Sequence, residues 1–271
     1  MSRRPQVHVA IVNWNTSTSA LLAASLYLAS DGADVRVTIV DNASEPDQQE
    51  MLRAGVVQRP GLELRTRAEN LGYGAAANFG LAGSGAQLVC VSNADLEPKP
   101  EMLAALAQVA LHDSSVGLVG PRLTGTASGY HAQLPRPATL PLRAFAGRVG
   151  QRSVSNPPSG SVREVEQPAG ACLLLRRDVW EALGGFDPGF LLWFEDVDLA
   201  RRSLAAGYRN VVAGDAVALH RGAEAFAQLA PARRQEIRLH SLERYAAKHH
   251  PRMSPLVRLA VSAALPLRKR F

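Results

Sequence analysis

The chain has 271 residues, 46% of them apolar, and a formal charge of +6 from 30 basic and 24 acidic side chains. That length and apolar content suit one large domain or two small ones with a sizeable core. Two cysteines, Cys90 and Cys172, both in apolar runs, exclude a disulfide framework and suggest buried thiols in a reducing compartment. The basic surplus is nearly all arginine and favours an anionic partner such as a nucleotide or an anionic membrane surface. Nucleic acid is not expected, because zinc-finger spacing and an RNP-like aromatic strand are both missing. The N-terminal stretch lacks the apolar segment and cleavage site of a signal peptide, and no uncharged apolar run is long enough to span a bilayer.

In chain order, VHVAIVN (Val7–Asn13) reads as a buried strand and SALLAASLYLAS (Ser19–Ser30) as a helix. VRVTIVDN is the second strand, PDQQEMLRAG a second helix, and LELRTRAEN a short strand ending near Asn70. YGAAANFGLAGSG is a helix of small residues, AQLVCVSN the fourth strand, PEMLAALAQVALHD the next helix and VGLVGPRL a fifth strand. Strands alternating with helices in this rhythm give an α/β fold with a mostly parallel sheet and helices on both faces.

From Thr124 to Pro168 the chain is rich in Pro, Gly, Ser and Arg and weakly periodic. It reads as a loop with a short helix, covering one side of a cleft or forming a surface insertion. Regular structure resumes with AGACLLLRRDVWEALGGFD, a strand, a short helix and a glycine turn. A helix then opens on Glu195, Asp196 and Asp198, and YRNVVAGDAVALHRG adds a last strand closed by His220.

The polar residues are not scattered. Asn13, Asn15, Asp41, Asn42, Asn70, Asn93 and Asp95 all stand at or just past strand C-terminal ends, the edge where open α/β sheets bind ligands. Each could serve a turn, but a set converging on one edge points to a site. The loop after the first strand has no glycine, so neither a dinucleotide fingerprint nor a phosphate-binding P-loop is present. The glycines of NLGYGAAANFG let the backbone approach a ligand or a neighbouring helix closely. Glu195, Asp196 and Asp198 suit a helix N-terminus. The apolar wall of Phe190, Trp193 and Phe194 beside them would raise a carboxyl pKa and so equip a base.

Taken in order, VAIVNWN, VTIVDNAS, ENLGYGAAANFG, VSNADLEP, GACLLLRRDVWEALGGFDPGFLLWFEDVDLARR and ALHRG resemble the motifs of family 2 glycosyltransferases of the GT-A fold, in the rhamnosyltransferase-like branch. The resemblance covers about Val7 to Ala223 and implies a catalytic domain over residues 1–223, followed by a basic helical extension over 224–271.

It further implies that Asn13 and Asn15 form the lip of the nucleotide cleft. Asp41 would read the base of the nucleoside diphosphate, and Asn70 and Asn78 would line the donor cleft. Asp95 would bind a divalent metal, Mn²⁺ or Mg²⁺, with His220 able to complete the site. Asn93 replaces the first acid of the family's DxD-like motif, which suits an orienting more than a ligating role. Asp196 would be the catalytic base, with Glu195 supporting it, and Trp193 and Asp198 would face the acceptor.

The expected reaction is inverting transfer of a sugar, L-rhamnose from dTDP-rhamnose, onto a saccharide or polyprenyl-linked glycan. Direct displacement needs one base and one metal, whereas glycoside hydrolysis would need two opposed carboxylates. UDP-galactofuranose, UDP-glucose and UDP-N-acetylglucosamine stay open as donors. A nucleotidyltransferase would carry a Gly/Arg/Lys-rich loop after the first strand, and a non-catalytic binding module would not be expected to keep Asp95, Asp196 and His220 together. The tail SPLVRLAVSAALPLRKRF, with an apolar face and a basic end, is expected either to pack on the catalytic domain or a second subunit, or to lie on an anionic membrane. Many members of the family act on polyprenyl-linked acceptors at the cytoplasmic leaflet, so the resemblance favours the membrane and a cytoplasmic, peripheral location.

Overall fold

A computed structural model describes residues 4–57, 59–125, 131–146, 153–222 and 224–268. Its first half follows the expected alternation: β1 (Gln6–Asn13), α1 (Ser17–Leu28), β2 (Asp34–Asn42), α2 (Pro46–Val56), β3 (Leu62–Arg67), α3 (Tyr73–Leu81) and β4 (Leu88–Asn93). After a three-residue strand, β5 (Leu96–Pro98), come α4 (Met102–His112) and β6 (Val116–Gly125).

The segment read as a loop with a short helix contains that helix, α5 (Leu140–Ala146), and three strands besides: β7 (His131–Ala132), β8 (Ser153–Val154) and β9 (Val162–Glu164). Strands of two or three residues are too short to show an alternating pattern, so the sequence could not announce them. Then follow β10 (Cys172–Arg176), α6 (Arg177–Leu183), α7 (Glu195–Ala205), β11 (Arg209–His220), α8 (Glu224–Ala227), α9 (Pro231–His249) and α10 (Ser254–Arg268).

One sheet runs through the molecule in the order β3-β2-β1-β4-β10-β6-β11-β5, with β9 pairing β11. Strands β1 to β4 are mutually parallel, so their C-terminal ends share one edge. β10 runs antiparallel to β4 and β6, a reversal with no local signature in its apolar run. β11 is parallel to β6 but antiparallel to β5, which brings His220 opposite Leu96, one residue past Asp95.

The side chains of the central strands alternate between two cores. Val9, Ile11, Cys90 and Leu174 face a core shared with α1 and α4, while Ala10, Val89, Val91, Leu173 and Leu175 pack with residues of α3, α6 and α7. A third core joins Leu140 and Ala144 of α5, Phe190 and Phe194 before α7, Leu239, Leu242 and Tyr245 of α9, and Val257 and Val261 of α10. The C-terminal segment is thus packed on the chain beside α7. Cys90 and Cys172 are buried and free, their sulfurs 3.8 Å apart.

Candidate active site

A cleft opens above the common C-terminal edge of β1, β2 and β4. Asn42, Asn70, Asn93 and Asp95 line its polar end, Val12, Trp14 and Tyr73 its inner wall, and Leu191, Leu192, Phe226, Leu229, Arg233 and Ile237 its outer wall. The parallel strands place the polar end, because β1, β2 and β4 all finish there.

Asn13, fully buried, ties the first two strand ends together. Its Nδ2 donates to Asp41 Oδ1 at 3.3 Å and Ser44 Oγ at 3.2 Å, and its Oδ1 accepts from Thr16. Asn15 takes a left-handed conformation, φ 53°, and its Oδ1 accepts the Glu45 N–H at 2.7 Å. Both asparagines therefore hold the loops that frame the cleft. Asn42 Nδ2 donates to Asn70 Oδ1 at 2.8 Å, and the same Asn70 oxygen accepts the Gly72 N–H. Asp41 Oδ2 and Asn42 Oδ1 are buried with no hydrogen-bond partner among the described residues. Unpaired buried acceptors are costly; Asn42 lines the cleft, so its oxygen fits a donor supplied by a ligand, whereas Asp41 sits one residue back, at the end of β2, outside the residues that line the cleft.

Asn93, Asp95 and His220 meet at the end of β4. His220 Nε2 lies 3.1 Å from Asp95 Oδ1 and 3.3 Å from Asn93 Nδ2. The backbone is tied as well, since Arg221 N–H donates to the Asp95 carbonyl. Residues 125 positions apart in sequence are thus joined at one strand end by the β11–β5 pairing. No group of three or more His, Cys, Asp or Glu able to hold a metal occurs among the described residues.

Asp196, at the start of α7, is held by three donors: Gln167 Nε2 at 2.8 Å and Gly170 N–H at 3.1 Å on Oδ2, and the Val197 N–H at 2.8 Å on Oδ1. Gly170 also accepts from the hydroxyl of Tyr73, which lines the cleft, so one backbone unit connects the acid to the cleft wall. A Cβ on Gly170 would lie 2.7 Å from Asp196 Oδ2, so only glycine permits this approach.

Burial, then the neighbouring Asp196, push the Glu195 carboxyl up to about 8. Burial also raises Asp196, against its three donors. Glu195, whose Oε2 has no partner among the described residues, is therefore held protonated near neutral pH.

Two expected contacts are corrected. Asp198 does not face an acceptor: it is wholly buried, and its carboxylate is taken up by Arg202 at 2.8 Å, Lys248 at 2.7 Å and His249 at 2.7 Å. Burial would raise its pKa, but these partners outweigh that and lower it. Asn78 does not line the cleft: its amide bridges both backbone groups of Phe186, at 2.8 and 2.9 Å, and so fixes α3 to the turn after α6. Trp193 packs on Phe226 with ring centroids 5.3 Å apart, and so backs the outer wall.

Sequence reasoning passed over Gln167, Tyr73 and the α8–α9 residues. Gln167 sits at the end of the Pro- and Gly-rich segment with nothing nearby to mark it. Phe226, Arg233 and Ile237 follow the last recognised motif, ALHRG. Tyr73 could have been found, as the one hydroxyl-bearing side chain in the motif ENLGYGAAANFG.

A mixed α/β sheet with a strand-end carboxylate and histidine beside a cleft is the architecture of a glycosyltransferase of the GT-A type. Residues 9–161 match glycosyl transferase family 2, and the chain belongs to that family: it is a glycosyltransferase. It is 30% identical over 220 residues to the N-acetylglucosaminyl-diphospho-decaprenol L-rhamnosyltransferase of Mycobacterium tuberculosis, covering 73% of this chain and 69% of that protein. It is 29% identical over 192 residues to the O-antigen biosynthesis protein RfbC of Myxococcus xanthus, covering 67% of this chain but 14% of that protein. In fold it is similar to the mannosyltransferase PcManGT of Pyrobaculum calidifontis, solved with GDP-Man and Mn²⁺, at a TM-score of 0.61 and 21% identity over 98% of this chain and 73% of that one.

Proposed function

We propose that the protein transfers L-rhamnose, with inversion, from dTDP-rhamnose to a hydroxyl of a polyprenyl-diphosphate-linked glycan at the cytoplasmic face of a membrane. The observation that carries the reading is the meeting of Asn93, Asp95 and His220 at one strand end, in a chain 30% identical over 220 residues to an L-rhamnosyltransferase with such an acceptor.

The residues fit a divalent metal. Asp95 offers a hard carboxylate oxygen and His220 an imidazole nitrogen, a pair better suited to Mn²⁺ than to Mg²⁺. The remaining coordination positions would fall to the donor's diphosphate. When bound, the cation offsets the negative charge that grows on the leaving diphosphate.

The chain's own residues do the rest. Asn42 would meet the nucleoside with its unpartnered oxygen, and Asp41, whose Oδ2 also lacks a partner among the described residues, would do so once the ligand is seated. Asp196, oriented by Gln167, Gly170 and Val197, takes the proton of the acceptor hydroxyl. Glu195 holds its own proton beside it. The apolar wall of Leu191 and Leu192 suits the 6-methyl group of a deoxysugar. Such a contact discriminates by only about 1–3 kcal/mol.

Two measurements test this reading. In a panel of nucleotide sugars read by product mass, dTDP-rhamnose is expected to be preferred, and a clear preference for UDP-glucose or UDP-galactofuranose would replace it. Asp95→Asn is expected to abolish the response of turnover to MnCl₂ with the melting temperature little changed. A wild type whose rate ignores both added metal and chelator would remove the metal from the mechanism.

A further inference from the structure

The outer wall of the cleft carries a cationic feature that donor chemistry does not explain. On α9, Arg233 and Ile237, one turn apart, line the cleft. One position further round the helix, Arg234 and Arg238 form a second pair. The Arg238 guanidinium lies 4.6 Å above the Trp193 ring, and Trp193 packs on Phe226, itself a cleft residue.

Arg233 has a carboxylate neighbour, Glu236 at 2.9 Å, in a pair whose arginine is 53% exposed, so it is screened by solvent. Arg234 and Arg238 stand next to the cleft-lining residues of α9 rather than among them, and no ion pair joins either to a carboxylate among the described residues. Burial, and then the like charge of Arg234, lower the pKa of Arg238. A half-buried cation beside another cation is unfavourable unless an anion joins them, and arginine is the side chain whose planar fork suits phosphate oxygens. The Trp193 face offsets part of that cost and fixes the guanidinium plane.

The wall beside these cations is apolar: Leu191, Phe226, Leu229 and Ile237. An apolar wall with an arginine rim fits a molecule with a hydrocarbon body and a multiply charged head. We infer that Arg233, Arg234 and Arg238, braced by Trp193, bind the diphosphate of a prenyl-diphosphate-linked acceptor, with the first prenyl unit against Phe226, Leu229 and Ile237. The inference rests on the acceptor reading above and assigns specificity-determining residues to it. The donor's diphosphate is a second source of the same chemistry, but the proposed function gives it to Asp95 and His220, with no contact to these arginines among the described residues.

The test is equilibrium binding by calorimetry with the full chain and no acceptor turnover. The probes are farnesyl diphosphate, farnesol, and dTDP with MnCl₂. Wild-type protein is expected to bind farnesyl diphosphate far better than farnesol, and more weakly as salt rises. Arg234→Gln/Arg238→Gln is expected to weaken farnesyl diphosphate about ten- to a hundredfold and to leave dTDP binding unchanged, which also reports an intact fold. Arg238→Lys, which keeps the charge but not the fork, is expected to fall between the two.

If wild type binds farnesyl diphosphate and the double variant binds it equally, the arginine assignment is wrong while the acceptor reading stands. Loss of dTDP affinity in the variant would assign the arginines to the donor. If wild type does not bind farnesyl diphosphate at all, the lipid-diphosphate acceptor itself is refuted, and this inference with it.

Discussion

Glu195 and Asp196 are adjacent carboxyls in different surroundings, to which the proposed mechanism gives different tasks. Asp196 accepts three hydrogen bonds and Glu195 Oε2 accepts none among the described residues. Asp196→Asn is expected to lower kcat about 10²–10⁴-fold with nucleotide-sugar binding retained. Glu195→Gln should cost far less, because a neutral amide resembles the protonated acid already present. A larger loss from Glu195→Gln than from Asp196→Asn would exchange their roles.

The pair also makes a statement about stability. The folded protein holds the Glu195 proton up to about pH 8, whereas the unfolded chain releases it near 4.5. Over that window the folded state binds more protons, so stability falls as pH rises, by at most about 1.4 kcal/mol per unit. Thermal melts of Glu195→Gln between pH 5 and 8 should show a shallower decline than wild type. Of these facts the sequence displayed the carboxylates and their apolar flank. The three donors were not legible, because Gln167 and Gly170 reach Asp196 only through the path of the chain between β9 and β10.

Among the elements, α7 and α9 are locked by ionic contacts rather than by apolar packing alone. Asp198 of α7 meets Lys248 and His249 of α9 along with its own Arg202. Removing one member of a buried charge group leaves the others uncompensated, so Asp198→Ala is expected to destabilise by about 3–5 kcal/mol, read from urea unfolding. A variant within about 0.5 kcal/mol of wild type, an ordinary surface effect, would show the group to be dispensable.

Helix α10 has two faces. Val257, Val261 and Ala264 are buried against its neighbours, while Leu256 and Leu259 are 53% and 69% exposed on the outside, next to Arg258. The sequence offered packing and membrane contact as alternatives, and the buried face answers only to the first. The basic residues Lys269 and Arg270 lie outside the described residues.

Truncation would uncover the third core, so the better comparison is Leu256→Glu/Leu259→Glu, which spares the buried face. It should reduce co-sedimentation with anionic vesicles and leave the melting temperature unchanged. Equal sedimentation of the variant and wild type would mean that α10 serves packing alone. Among the described residues no helix is long and apolar enough to cross a membrane.

For the molecule as a whole, the parallel half of the sheet was legible because β1, β2 and β4 each show an apolar run closed by a polar residue. The other half was less so. β10 reverses direction without a change in composition, and β11 pairs with β5, which hides behind a proline-rich stretch. That non-local pairing is what unites Asp95 with His220, and the sequence could only suggest it by family resemblance.

The cleft itself belongs to both ends of the chain. Trp14 and Thr16 come from the loop after β1, Phe226 and Ile237 from α8 and α9, and Gln228 Nε2 donates to the Asn15 carbonyl at 3.0 Å. A chain ending at residue 222 would leave Phe190, Phe194 and Val197 without the α9 side of their core. It is expected to aggregate on expression, and a soluble, monodisperse fragment would show the C-terminal segment to be an accessory.

The glycines at the cleft have a consequence for how such an enzyme can diversify. At Gly72 an added Cβ would sit 2.2 Å from the Leu191 carbonyl oxygen, at Gly74 it would sit 2.8 Å from the Phe186 Cβ, and Gly170 meets Asp196 just as closely. These contacts fall on a backbone carbonyl, on a Cβ carried by every residue but glycine, and on the Asp196 side chain, so an ordinary side chain at these glycines cannot be accommodated without moving the chain. One jaw of the cleft is therefore fixed by the chain's own thickness. The other, built from Leu191, Leu192 and the side chains of α8 and α9, can change residue by residue without disturbing the acids. New sugars and new acceptors would be acquired on that second jaw, while the first stays the same from one descendant to the next.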